Sequence, residues 1–487
     1  MILADVLKNL EYEVISGSEN VDIKGFTIDS RQVKPGFLFV AIEGFVVDGH
    51  KFIPSAVASG AKAVILTRMP SELSEGVCYI RVKNPRFVLG YCAKNFYHNP
   101  GRNLKIVGVT GTNGKTSTTY FLEEIFKEYG KKTGVIGTVE IRANGKKLDY
   151  HLPTSTTPDA IDLNEILCDM RDMGVTNVAM EVSSHALQLY RVDGVEFEVG
   201  IFTNLTQDHL DLHGTMENYM KAKARLFKMC RKGVLNADDS YCGRIKELAR
   251  CRIMTYGIEN DCDIKAVNIK YMPDHVNFDI EYSGKAYPVS FAVPGRFSVY
   301  NALAAVGGAL ATGVPMEVIV TALGNIKGVP GRIQNIASGR GFNVFIDYAH
   351  TPDGVLNIIN AVREFTKGRI ITVFGCGGDR DKKKRPIMGE ISAKLSDYSI
   401  VTSDNPRSEE PEDIIKDILV GVEPVTDKFE VLVSRKDAIY RAIELAQDGD
   451  SVIIAGKGHE DYEIFKDKTI HFDDAEVAEQ ALEEIKK

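Results

Sequence analysis

Short apolar runs punctuate this chain from end to end, and stretches with helical spacing separate them. Near the start the runs are 36–41 and 61–66, and in the middle they are 106–109, 175–180 and 199–203. Further on come 344–346, 370–374, 399–402 and 451–455. Runs of this length between turn residues predict strands buried on both faces, and the helical stretches between them predict parallel sheets covered by helices. The fold class is therefore α/β. In the last group each run ends in a polar or glycine-rich loop, and in such sheets ligands bind beyond the carboxyl ends of the strands.

One stripe has a different period. Met216, Tyr219, Met220, Lys223, Leu226, Phe227 and Cys230 recur at i, i+3, i+4, i+7 and predict one amphipathic helix. Lys223 is the single charge in that stripe, whereas Lys221, Arg225 and Lys228 lie off it. Burying an unpaired ammonium is costly enough to shift its pKa. Such a lysine either snorkels to the helix edge or serves a function, as an amine or after conversion to a neutral or anionic group.

At 487 residues the chain is long enough for about three domains. Turn clusters at Asn99-Pro100-Gly101 and Gly328-Val329-Pro330-Gly331 divide it into 1–99, 100–330 and 331–487. A net charge of −8 argues against a general nucleic-acid-binding surface, so anionic ligands need local basic sites. No N-terminal signal pattern is present, and the longest weakly polar stretch, 302–314, is too short to insert in a membrane. Eight cysteines without a Cys-x-x-Cys pair suit free thiols in a cytoplasmic protein better than disulfides or a zinc site.

The chemistry concentrates at run ends. After the 106–109 run comes Thr110-Gly111-Thr112-Asn113-Gly114-Lys115-Thr116-Ser117, followed by a helix start. A glycine-rich turn between strand and helix aims backbone N–H groups at an anion, so the loop predicts ATP. Lys115 reaches the outer phosphates, and Thr116 or Ser117 offers a hydroxyl to Mg2+. The usual first glycine of such a loop is replaced by Val109, with Gly108 one residue out of register. Glu181 ends the 175–180 run, and Asp208-His209-Leu210-Asp211 follows the next, so neighbouring strand ends offer donors for Mg2+ or simply cap their loops. In the last third, three strand-end loops present Arg380, Arg407 and Glu460. Arginine pairs with carboxylates or phosphates and glutamate with an ammonium, so together they could read an amino acid from both ends.

In order along the chain, 110–116, Glu181-Val182-Ser183-Ser184-His185, 208–211, Met216-Glu217-Asn218-Tyr219 with Ala222-Lys223, Pro330-Gly331-Arg332 and 347–352 resemble the Mur ligase family of peptidoglycan synthesis. The three late loops complete the set. The resemblance implies an N-terminal UDP-binding domain, a central P-loop ATPase with a parallel sheet, and a C-terminal Rossmann-like domain. It implies ATP on Gly111, Thr112, Asn113, Gly114, Lys115, Thr116 and Ser117, with its base and ribose near Asn301, Arg332 and Asp347. Mg2+ would fall to Thr116, Glu181, His209 and a carbamate on Lys223; Lys115, Lys223, Glu181 and His209 form the catalytic set. The nucleotide sugar would meet Ser30 in the Asp29-Ser30-Arg31 region, Thr156, Thr157, Ser183 and Arg191. A family glutamine two residues before that arginine is Leu189 here, with Gln188 adjacent. Arg380, Asp404, Asn405, Pro406, Arg407, Gly456 and Glu460 would bind the amino acid. Asp404-Asn405-Pro406-Arg407 resembles the signature of members that add meso-diaminopimelate to UDP-N-acetylmuramoyl-L-alanyl-D-glutamate. Diaminopimelate has a second carboxylate for Arg407, and L-lysine, the alternative, has none. A folylpolyglutamate synthetase-like ligase is the other alternative. The expected protein is a cytoplasmic monomer.

Overall fold

A computed structural model describes residues 1–485 except 45, 46, 151, 153 and 155, and it leaves the Asp211 side chain undescribed. Three separate sheets account for most of the strands. The first orders Glu13–Ser16, Cys78–Arg81, Ala63–Leu66, Phe37–Val40 and Gly25–Thr27, all parallel apart from the edge strand Glu13–Ser16. Among the described residues the central sheet has 11 strands, parallel from Ile264–Tyr271 through Lys105–Thr110 to Thr133–Ile136 and extended by antiparallel strands at both edges. The third orders Gln334–Ala337, Asn343–Asp347, Ser451–Ala455, Ile370–Phe374, Tyr398–Val401 and Phe429–Val431, again parallel except for its first strand.

The period-2 geometry of a strand sends alternate side chains to opposite faces, and each sheet accordingly separates two apolar clusters. Val107, Val109 and Ile201 pack with Phe121, Leu122 and Leu303 on one face of the central sheet. Ile106, Val178 and Met180 pack with Ile166, Leu167 and Met170 on the other. In the third sheet Phe345, Phe374 and Ile453 face one cluster, and Val344, Val373 and Ile454 the opposite one. Burial on both faces is what made these strands read as unbroken apolar runs. Among the described residues no helix is long and apolar enough to cross a membrane, and all eight cysteines are free.

The long stripe from Met216 to Cys230 is not one helix. The α-helix covers Met216–Ala224, a 3-10 turn Arg225–Lys228 follows, and Cys230 opens the strand Cys230–Asn236. Leu226 and Phe227 stay buried because the tight turn points them into the same cluster as Tyr219 and Met220. Apolar spacing therefore persisted past the helix end.

The third sheet is clamped by a fully buried ion pair. Arg435 donates through Nε and Nη2 to Asp474, 2.7 Å each, and also to the Ser403 and Ala455 carbonyls. Arg435→Leu leaves the carboxylate uncompensated and is expected to cost about 3–5 kcal/mol. Urea unfolding followed on this domain checks it, and a loss below about 1 kcal/mol would show that water reaches Asp474.

Candidate functional site

The nucleotide loop joins the strand Lys105–Thr110 to the helix Lys115–Glu128. Gly114 is left-handed at φ +87°, and a Cβ there would lie 2.2 Å from Asn301 Oδ1. A Cβ on Gly111 would lie 1.8 Å from Thr203 Oγ1. Both glycines are thus required by close approach. Gly108 has a different cause: it sits in mid-strand, where a Cβ would lie 2.8 Å from the Phe197 ring. It makes room in the core and has no share in cradling phosphate.

Residues 203–206 brace the loop from the side. Thr203 Oγ1 donates to the Asn113 carbonyl at 2.6 Å, and the Asn113 N–H donates to Asn204 Oδ1 at 2.9 Å. Thr112 Oγ1 donates to the Thr206 carbonyl and accepts from the Thr206 N–H. Thr116 and Ser117 are buried at the start of the helix.

Two lysines converge on one carbonyl. Lys115 Nζ donates to the Gly111 and Thr112 carbonyls at 3.1 and 2.8 Å, and Lys223 Nζ donates to the same Gly111 oxygen at 2.7 Å. Lys223 is 1% exposed, so it does not snorkel. Its ammonium position lies 4.5 Å from the Tyr219 ring centroid. Burial pushes its pKa well below the usual lysine range, and the charge on Lys115 pushes the same way. Burial also lowers Lys115, with Glu181 and Asp208 opposing.

Glu181 is the last residue of its strand and is 1% exposed. Its carboxylate accepts from Thr116 Oγ1, from the Thr138 N–H and from Thr138 Oγ1, each at 3.0 Å. His209 is left-handed at φ +51° and half-exposed, 3.3 Å from Asp208 and edge-on to His185. Burial lowers its pKa, Asp208 opposes, and His185 and both lysines add to the lowering. The strand that ends at Glu181 and the strand Phe197–Phe202 that precedes the His209 loop are not adjacent, contrary to expectation, because Lys105–Thr110 lies between them. The crossover order places the nucleotide loop between its two flanking groups. Asp211 lies outside the described side chains.

Arg332 bridges toward this loop from the third domain, donating to Thr116 Oγ1 at 3.3 Å and stacking over Tyr348 at 4.6 Å. Among the described residues its buried Nε makes no hydrogen bond. Asp347 accepts from the Ile333 N–H; burial raises its pKa and Arg332 opposes. Asn301 packs on Gly114, as described above. The expected nucleotide residues are therefore brought together.

On the other side of Glu181, Thr157 Oγ1 donates to the Glu181 carbonyl at 3.0 Å and accepts from the Ser183 N–H at 3.0 Å. Thr156 Oγ1 accepts from Thr138, and Arg191 Nη1 donates to the Thr157 carbonyl at 3.5 Å. Among the described residues Arg191 Nε makes no hydrogen bond, and it lies 3.9 Å from Asp159. Gln188 ends the short helix Ser184–Gln188 and Leu189 caps it. Ser30 lies in the first domain, on a 3-10 turn capped by Asp29. Thr138 joins Thr156 to Glu181, the carboxylate that also accepts from Thr116, and it carries no motif signal in the sequence.

In the third domain the three loops follow adjacent strands. Asn405 is held at both ends of its amide: its Oδ1 accepts from Lys457 Nζ at 3.0 Å and the Ile464 N–H at 2.9 Å, and its Nδ2 donates to Glu460 at 2.8 Å. Asp404 is buried; desolvation works against its charge, yet Lys457 and Arg435 hold its pKa below the usual range. A Cβ on Gly456 would lie 2.6 Å from Asp404 Oδ2. Pro406 is buried, and its carbonyl would lie 1.9 Å from a Cβ on Gly378, so these two loops stack. Arg407 is left-handed at φ +54° and donates to the Gly378 carbonyl at 2.9 Å. Burial raises the Glu460 pKa, and Asp404 adds to it. Arg380 is exposed and bonded to the Asp379 carbonyl, and a Cβ on Gly377 would lie 3.8 Å from its Cγ and 2.8 Å from Arg407 Nη1.

Among the described residues no three His, Cys, Asp or Glu side chains gather as a metal cage. Thr116 and Glu181 nevertheless present buried hard oxygens 3.0 Å apart beside the loop. That donor set fits Mg2+, which keeps several waters and shares one or two carboxylates with substrate phosphates.

Comparison with known proteins agrees with this layout. Residues 22–97 match the Mur ligase family catalytic domain, 109–309 the Mur ligase middle domain, and 331–458 the Mur ligase glutamate ligase domain. A UDP-N-acetylmuramoyl-L-alanyl-D-glutamate–2,6-diaminopimelate ligase of Clostridium botulinum is 46% identical over 99% of both chains. A solved structure of a ligase with that name superposes with TM-score 0.72 at 30% identity over 99% of each chain. The fold is shared with a MurF ligase from Thermotoga maritima in complex with ADP, at TM-score 0.63 and 20% identity over 94% of this chain and 98% of that one. With three matched domains in order and a full-length relative at this identity, the chain belongs to the Mur ligase family.

Proposed function

We propose that this protein adds meso-diaminopimelate to UDP-N-acetylmuramoyl-L-alanyl-D-glutamate, using ATP, as a cytoplasmic monomer with domains 1–99, 100–330 and 331–487. The observation that carries this reading is the convergence of Lys115, Lys223 and the Thr116–Glu181 pair on one nucleotide loop. It occurs in a chain that resembles named diaminopimelate ligases over its full length. In the first step an oxygen of the D-glutamyl γ-carboxylate attacks the γ-phosphorus of ATP, and the bond to the ADP oxygen breaks. Lys115 and the backbone N–H groups of the helix start would neutralise charge on the transferring group. Mg2+, held by Thr116, Glu181, His209 and a Lys223 carbamate, would supply further charge neutralisation at the phosphates. In the second step the amine of diaminopimelate attacks the acyl carbon, a tetrahedral intermediate forms, and phosphate leaves as the nitrogen gives up its proton.

Thr156, Thr157, Ser183 and Arg191 would hold the nucleotide sugar's peptide end beside Glu181, with Ser30 on the uridine side. Arg407 and Arg380 would take the carboxylates of the diamino acid, while Glu460 takes an ammonium. L-lysine offers no side-chain carboxylate to Arg407. A folylpolyglutamate synthetase-like reading is disfavoured by the match of residues 22–97 to the family's own N-terminal region.

ADP release with each amino acid is the direct test. Turnover is expected with meso-diaminopimelate, and activity with L-lysine alone would reject the assignment. Arg407→Ala is expected to raise KM for diaminopimelate by about 10- to 100-fold, the range of a lost charge-assisted hydrogen bond, with little change in KM for ATP. An unchanged diaminopimelate KM would remove Arg407 from the site.

A further inference from the structure

Asp353 opens the helix Pro352–Arg363 behind the N-cap Thr351. An acid in a first helical turn is ordinarily explained by the helix dipole, yet this side chain leaves its own terminus. Its Oδ2 accepts from Asn113 Nδ2 in the nucleotide loop, from Thr206 Oγ1 at 3.1 Å and from Asn357 Nδ2 at 3.0 Å. The main chain of Asn113 is already held by Thr203 and Asn204, and that of Thr206 by Thr112. Their side chains are what remain to reach across the domain boundary. Arg332 crosses the same boundary to Thr116. Together the two contacts hold the nucleotide loop at both ends of its second half.

We propose that Asp353 is a positioning residue for amide formation: by holding Asn113 and Thr206 it registers the amino-acid-binding domain on the nucleotide loop. This rests on the function proposed above. The acyl phosphate forms within the central domain, whereas the amine arrives from the third. Asp353 therefore matters to the second step and little to the first. Small displacements of a nucleophile are costly, since about 1 Å can cost on the order of a hundredfold.

The test uses the full-length protein with Asp353→Ala, Asp353→Asn, Thr206→Val and the Asp353→Ala/Thr206→Val double variant. Hydroxylamine traps the acyl phosphate formed from ATP and the UDP-dipeptide, diaminopimelate-dependent product reports ligation, and amide hydrogen exchange follows 111–116 and 352–363. In Asp353→Ala, trapping is expected to stay within about twofold of wild type while ligation kcat falls at least about tenfold. Exchange should quicken in both segments. Asp353→Asn, which keeps an acceptor oxygen, should recover part of the loss, and the double variant should be no worse than Asp353→Ala. Ligation within twofold of wild type, trapping and ligation falling by the same factor, or unchanged exchange in both segments would each overturn the proposal. If wild type itself yields no trapped hydroxamate, the acyl-phosphate reading fails, and the exchange result still decides whether Asp353 registers the domains.

Discussion

Lys115→Ala is expected to lower kcat about a thousandfold, the upper range for removing one preorganised donor from a transferring group. Its Nζ already stands within hydrogen-bond reach of two loop carbonyls, so little reorganisation separates the resting position from a bound phosphate. The backbone N–H groups at the helix start remain in the variant, and nucleotide binding should weaken far less than turnover. Burial lowers the Lys115 pKa, and a triphosphate beside it favours the charged form again. Steady-state ADP release together with ADP affinity separates the two effects. A variant retaining more than about a tenth of wild-type kcat would mean that the loop does not act on the transferring phosphoryl group.

Lys223→Ala is expected to cost on the order of a hundredfold in kcat, with partial recovery on adding formate or acetate. The physical case begins with sign. An ammonium 1% exposed and next to Lys115 is electrostatically misplaced, and burial and that neighbour push its pKa down. Only the neutral amine can add CO2: the nitrogen forms a bond to carbon and sheds a proton, leaving a carbamate anion. That anion would pair with Lys115 and face Mg2+, so modification replaces a repulsion with two attractions. Because the reactive form is the free base, carbamylation should gain with rising pH and with bicarbonate, and decline as pH falls. A fully active Lys223→Ala protein would reject this, as would a variant that no short carboxylate restores.

Much of the site was legible in the chain because strand ends can be read locally. The apolar runs end where Thr110, Glu181, Phe374, Val401 and Ala455 end their strands or lie beside the ends. A lone charge in an apolar stripe singled out Lys223, and its burial follows. The same stripe also misled, since apolar spacing continued through a 3-10 turn and into a strand. Gly108 drew notice for its place near the loop, while its cause is the Phe197 ring from the neighbouring strand.

By itself the sequence determined the α/β class, the core parallel strands, and the loops that carry polar chemistry, because periodicity and turn residues are local properties of the chain; the antiparallel edge strands of the central sheet were not read from it. Only the tertiary structure decided that the nucleotide loop lies between Glu181 and His209, that Lys115 and Lys223 share the Gly111 carbonyl, and that Thr138 and Asp353 join the site. Asp353 lies 240 residues from its Asn113 partner. Such meetings depend on strand order and domain placement, and no spacing rule along the chain encodes them.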